Sequence, residues 1–192
     1  PLHDRYRLDH DFLPPEQARQ LADMTMVINA FFGWDFNSCE ALRQDGRWHP
    51  IDFANACPDS QVTSLHFHFP WLIKANLRWS VFCAATDRTM KTNLDWGDYL
   101  AIADSDRTFD EKLAGYVALA RQHFDVDAFE EFCARHLTHL DEVADEFFAT
   151  QTVRDAIREK VTALYPEHEI DTFCELFWDR VQESRRVEGA AS

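Results

Sequence analysis

An α+β chain is what this sequence predicts: a helix and an antiparallel hairpin first, then a run of helices. Three observations carry that expectation. Apolar residues recur at helical spacing from Pro14 to Phe32. Asp45-Gly46 then sits between two β-like runs, a strong short-range hairpin signal. Beyond about residue 95 the helical period continues almost to the C-terminus. The expected division is a helix-plus-hairpin lobe over 1–94 and a helical, bundle-like region over 95–192.

Each element has its own signal. Leu21, Met24, Ile28 and Phe31 mark one face of the first helix. Pro15 suits an early helical position and Gly33 a C-terminal cap. The hairpin follows, and residues 54–66, rich in Asn, Pro, Asp and Ser, read as an irregular loop. Phe69-Pro70-Trp71 opens a second helix that runs through Leu72, Ala75, Leu77, Trp79 and Phe82 to about Thr86. Further helices are expected over Asp106–Phe124, Asp127 to about Ala149, Thr152–Tyr165 (stopped by Pro166) and His168–Val187. Short connections make them antiparallel neighbours.

The hairpin holds the residues with the most chemistry. Residues 37–60 read NSCEALRQDGRWHPIDFANACPDS, with Glu40 on the first arm and Asp52 and Asn55 on the second. A hard cation such as Mg²⁺ takes oxygen ligands, especially where it bridges to phosphates. Strand side chains alternate faces, so the loop length decides whether Glu40 and Asp52 meet. A three-residue loop, Gln44-Asp45-Gly46, pairs Arg43 with Arg47 and sets Glu40 opposite Pro50. Glu40 and Asp52 are then diagonal neighbours on one face. A two-residue loop puts them on opposite faces. The three-residue form is the expectation, because a left-handed Gly after a type I turn is a common hairpin. The competing reading is a hairpin whose charges simply face water.

This segment resembles the metal-binding hairpin of the ATP-grasp superfamily, near its C-terminal end. In that pattern an acidic residue on one strand is followed, after a tight turn, by an acidic residue and an Asn. The resemblance extends to a group of bacterial ATP-grasp proteins with an IDF-x-N-x-x-PD stretch, which here runs from Ile51 to Asp59. It implies that Glu40, Asp52 and Asn55 are Mg²⁺ ligands and that ATP is bound. It also implies a carboxylate–amine (or thiol) ligase that makes an acyl phosphate from ATP and a small carboxylic acid. Two departures stand out. The family spacing is acid-x-Asn, whereas here Asp52-x-x-Asn55 needs one extra residue, such as a bulge. Asn37 and Ser38 stand where an Arg commonly precedes the first ligand, so Arg5 and Arg7 are the upstream candidates for phosphate contact. Asp59 is expected to order the loop beside the nucleotide. The resemblance covers about residues 1–85, the second half of the grasp. The chain is therefore expected to be a C-terminal piece of a longer ligase, inactive alone.

Composition excludes other classes. A formal net charge of −15 argues against non-specific nucleic-acid binding, which needs Lys and Arg on phosphates. Five cysteines, odd in number and without a CxxC pair, indicate neither a disulfide framework nor a zinc ribbon. Reduced thiols point to the cytoplasm. No apolar run reaches membrane-spanning length. There is no GxGxxG, no GxxxxGK[ST] and no GxSxG.

Other residues offer weaker readings. His136, His139, Glu142 and Glu146 could form a bundle metal site, with a solvated face as the commoner outcome for such spacing. His66 and His68, on a stretch expected to be extended, would point to one side. Lys74, Arg78 and Arg88 could bind an anion, or lie along a helix face with their heads in water. Cys57 lies beside the proposed ligands and reads as a small buried apolar residue. The helical region would cover the site or offer a surface for a second copy. The alternative to the ligase is a non-catalytic helical interaction module.

Overall fold

The computed structural model describes residues 12–54 and 58–191. These are mostly helical with one antiparallel hairpin, as the α+β expectation required. The described residues form two compact units, each from two stretches of chain: those up to residue 58 with 90–126, and 59–89 with those from 127 onward. The boundary expected at residue 94 thus falls inside the second stretch of the first unit.

The first unit begins with α1 (Pro15–Phe32). Its C-terminal carbonyls are all but fully answered. Gly33, left-handed at φ 69°, donates its N–H to Ala30, and the Trp34 N–H reaches Asn29 O at 2.8 Å. Asn93 Nδ2 donates to the carbonyls of Ala30 and Phe31 at 3.2 and 3.0 Å, and Trp96 Nε1 to that of Phe31 at 3.1 Å. A two-stranded hairpin follows, β1 (Ser38–Gln44) and β2 (Arg47–Ala54). After it come α4 (Gly97–Ala103) and α5 (Phe109–Phe124), the former unforeseen. The helix expected from Asp106 starts later because Thr108 caps it. The Thr108 N–H donates to Glu111 Oε2 at 2.8 Å, and the Glu111 N–H returns to Thr108 Oγ1 at 3.4 Å. α1 packs on α5, and Ala30 and Ala120 have no exposed surface, so small residues admit close approach.

In the second unit, α2 (Val62–Leu65) and a 3₁₀ turn over His66–His68 occupy part of the expected loop. They lead into α3 (Phe69–Ala85). The chain resumes with α6 (Val126–His136), α7 (Leu140–Phe148), α8 (Gln151–Leu164) and α9 (Ile170–Ala191). One helix had been expected across 127–149, but the chain breaks between His136 and Leu140. Asp141 and Glu142 sit in the first turn of the new helix, where carboxylates favour an N-terminus. Pro166 ends α8 as expected, and α9 folds back along it. The core gathers Phe148, Ile157, Val161, Phe173, Phe177 and Val181, with Phe177 only 2% exposed. A second aromatic cluster joins α3 and α6 through Trp79, Phe82, Phe129 and Phe132.

Candidate functional site

The hairpin turn differs from expectation. Gln44 pairs with Arg47, so the loop is the two residues Asp45 and Gly46, at φ 52° and 79°. Two positive φ values in succession are what a tight two-residue hairpin turn needs, and Asp-Gly supplies them at low cost. Arg43 therefore faces Trp48, not Arg47. By itself this would put Glu40 and Asp52 on opposite faces. A bulge reverses that. Ala41 pairs with Pro50 and Glu40 with Asp52, leaving Ile51 as the extra residue on β2. Pro50 has no N–H to give the ladder, which is where a bulge costs least. Glu40 thus stands directly opposite Asp52, not opposite Pro50 as expected.

The two faces of the hairpin have different surroundings. Cys39, Ala41, Trp48, Pro50 and Phe53 are half-buried, and the first four line a cavity of about 250 Å³ with Leu21 and Met24 of α1. Glu40, Leu42, Gln44, Arg47, His49 and Asp52 form the exposed face. Burial pushes the Cys39 thiol upward against a lowering bond from Thr25, and the nearby Asp52 and Glu40 charges push it further. Cys39 therefore stays a neutral thiol, and the pair offers a cation only hard oxygen donors.

Asn55, Arg5, Arg7 and Cys57 lie outside the described residues. Asp59 lies in the second unit, where it orders the start of α2. Its Oδ1 accepts from the Gln61 N–H at 3.1 Å, and its Oδ2 accepts from the Ser64 hydroxyl.

The histidine readings change. His66 and His68 are in a tight 3₁₀ turn, not an extended stretch, with His66 at φ 48°. His66 Nε2 lies 2.8 Å from the Thr63 carbonyl, and its ring stacks on Phe177 at 5.1 Å. Burial lowers its pKa, a bond to Thr63 opposes this, and the Arg180 charge lowers it again. His136 ends α6 and is separated from Glu142 by the helix break. His139 Nδ1 lies 3.4 Å from Glu142, both well exposed. Among the described residues no group of three or more His, Cys, Asp and Glu side chains is placed to hold a metal ion.

Lys74 and Arg78 share a carboxylate. Arg78 Nη2 donates to both oxygens of Asp141 at 2.8 and 2.7 Å, and Lys74 Nζ lies 3.3 Å from Oδ1. Burial works against the Asp141 charge, but the Arg78 and Lys74 contacts outweigh it and hold its pKa below the ordinary range. The Arg88 guanidinium lies over Trp79, 5.2 Å from the ring centre. All three residues thus have partners inside the second unit.

The first unit also holds an apolar pocket of about 340 Å³, lined by Phe31, Phe32, Phe53, Tyr99, Leu100 and Tyr116 among others. Sequence reasoning missed it, because it depends on residues far apart in the chain. It also missed Arg47 and His49, although two-residue alternation from the turn would have put them on one face. Among the described residues no helix is long and apolar enough to cross a membrane. No protein-family profile, curated protein or solved structure matches this chain.

Proposed function

We propose that the chain carries the cation- and phosphate-holding hairpin of an ATP-dependent ligase of the ATP-grasp kind, acting on a small carboxylic acid. The observation that supports this reading is the direct pairing of Glu40 with Asp52 on the exposed face. Like charges directly opposite one another on a sheet cost stability. A divalent cation between them reverses that cost. Mg²⁺ is commonly held by one or two carboxylates together with substrate phosphates, and both carboxylates are free of ion pairs among the described residues. Glu40 and Asp52 would hold it, with Asn55 as the amide ligand that the family pattern adds. Bound there, Mg²⁺ would neutralise charge on the ATP β- and γ-phosphate oxygens.

Calorimetric titration of the full chain with ATP, with and without Mg²⁺, tests the reading. Binding should require the cation and weaken by about tenfold or more in Glu40→Gln and Asp52→Asn, the scale of one lost charged contact. Cation-independent binding, or variants that bind like the parent, would overturn it. A second reading, a module that docks an apolar partner, is favoured by the pocket of about 340 Å³. Such binding would be indifferent to Mg²⁺.

A further inference from the structure

We propose that the apolar pocket of the first unit is a binding site for an uncharged, bicyclic aromatic molecule that offers a hydrogen-bond acceptor to Tyr99. This stands apart from the cation reading of the hairpin, and it narrows the apolar-partner reading to a small ligand.

Four elements of one unit build the pocket: α1, β2, α4 and α5. Its volume is about 340 Å³. Ligand pockets commonly run from about 300 to 1,000 Å³. An apolar cavity of about 150 Å³ takes benzene, so this one suits two fused or linked rings. Phe31, Phe32, Phe53, Tyr99 and Tyr116 bring aromatic rings to the lining. Contacts among the rings already hold several of them. Phe31 stacks on Trp96 at 5.2 Å, and the Trp96 indole N–H donates to the Phe31 carbonyl. Tyr99 meets Phe31 edge-on at 5.3 Å and stacks on Tyr116 at 5.9 Å. The wall is thus formed before a ligand arrives, which spares the cost of ordering it. Rings so placed can receive a guest ring edge-on or offset, the arrangements that aromatic pairs prefer. Phe32 and Leu100, also in the lining, are 42% and 57% exposed, so the pocket opens to solvent.

The wall also selects the charge of the guest. Apart from two phenols every lining side chain is a hydrocarbon, so among the described residues nothing there pairs a charged group. A carboxylate, phosphate or ammonium inside would lose its water without compensation. Tyr99 points to a guest independently of the rings. It is only 8% exposed, and its hydroxyl has no hydrogen-bond partner among the described residues. A buried tyrosine hydroxyl ordinarily finds one. Burial raises its pKa, so it stays a neutral phenol able to donate. A carbonyl or ether oxygen on the guest would complete that bond.

The test is a fluorescence titration of the full chain with prodan, an uncharged naphthyl ketone whose emission moves to the blue in apolar surroundings. Prodan should bind at a single site, and equally well in EDTA and in Mg²⁺. Anilinonaphthalene sulfonate, which keeps the naphthalene rings but is charged, should bind at least about tenfold more weakly. Ala103→Phe adds a ring to the lining and should weaken prodan binding by about tenfold or more. Tyr99→Phe keeps the ring, removes the hydroxyl and should weaken prodan binding by about fivefold. Melting curves check the fold of both variants. Sulfonate binding as tight as that of prodan, or parent-like affinity in either variant, would overturn the assignment. Displacement of prodan by Mg²⁺–ATP would also overturn it, by making the pocket part of a nucleotide site. If prodan does not bind the parent chain, this inference falls, the cation reading is untouched, and the apolar-partner reading keeps only macromolecules.

Discussion

Removing one charge from the Glu40–Asp52 pair should stabilise the metal-free protein, and the same change should at least halve its stabilisation by a divalent cation. Asp52→Asn keeps the size of the side chain and deletes the charge. Directly opposed side chains have Cβ atoms about 5 Å apart. Two unit charges at about 5 Å in a water-like dielectric repel by roughly 0.8 kcal/mol. That lies within the range of about 0.2–1 kcal/mol for cross-strand pairs. For a chain of 192 residues, 1 kcal/mol moves the Tm by about 2–4 °C, so the variant should melt about 2 °C higher at low salt. In 1 M salt, where the screening length is about 3 Å, the difference should nearly vanish.

A cation reverses the order. A ligand at a hundred times its Kd stabilises the native state by about 2.7 kcal/mol. The same Mg²⁺ concentration should therefore raise the parent Tm by several degrees, and a site weakened about tenfold in Asp52→Asn should retain at most about 1.4 kcal/mol, half that rise. Scanning calorimetry in EDTA and in Mg²⁺, each at low and high salt, gives the four comparisons. A variant that is less stable than the parent in EDTA would show that the two carboxylates do not repel. Equal stabilisation of both proteins by Mg²⁺ would show that the cation binds elsewhere.

Other perturbations probe the scaffold. Phe177→Ala removes a side chain that is 2% exposed from the centre of the second unit's core, and should cost about 3–5 kcal/mol by urea denaturation. Gly33→Ala places a Cβ 2.8 Å from Asn93 N at φ 69°, and the left-handed strain alone should cost about 1–2 kcal/mol. Faster amide exchange at the C-terminal turn of α1 would report it. His66 has a pKa lowered first by burial, so its neutral form is favoured in the folded state. Its contribution is complete above the unfolded pKa of about 6.5 and is lost as pH falls through the lower folded value. Urea midpoints taken from pH 7.5 to pH 5 should fall in the parent, and His66→Gln should flatten that slope. An unchanged slope would move the titration to another group.

The helices were legible where their signals were local. Gly33 caps α1 as its type and place predicted, and Pro166 closes α8. The break after His136 also had a local mark, two carboxylates at the start of α7, but a continuous apolar period across 129–147 concealed it. His66 was not legible, because its turn, its stacking and its lowered pKa depend on Phe177 and Arg180, far along the chain. Lys74 and Arg78 meet Asp141 for the same kind of reason.

The hairpin is the informative case, since its parity depends on two features that each reverse it. Asp45-Gly46 favours the two-residue turn, and Pro50 favours a bulge beside it. Taken separately, either one sends Asp52 to the face opposite Glu40. Taken together they cancel, and the two carboxylates stand directly opposed instead of diagonal. The approach of the pair thus depends on Pro50 and Ile51, neither of which offers a ligand atom from its side chain. A one-residue change of register on either arm would leave every acidic residue in the sequence and still separate the pair, because strand faces alternate with every residue.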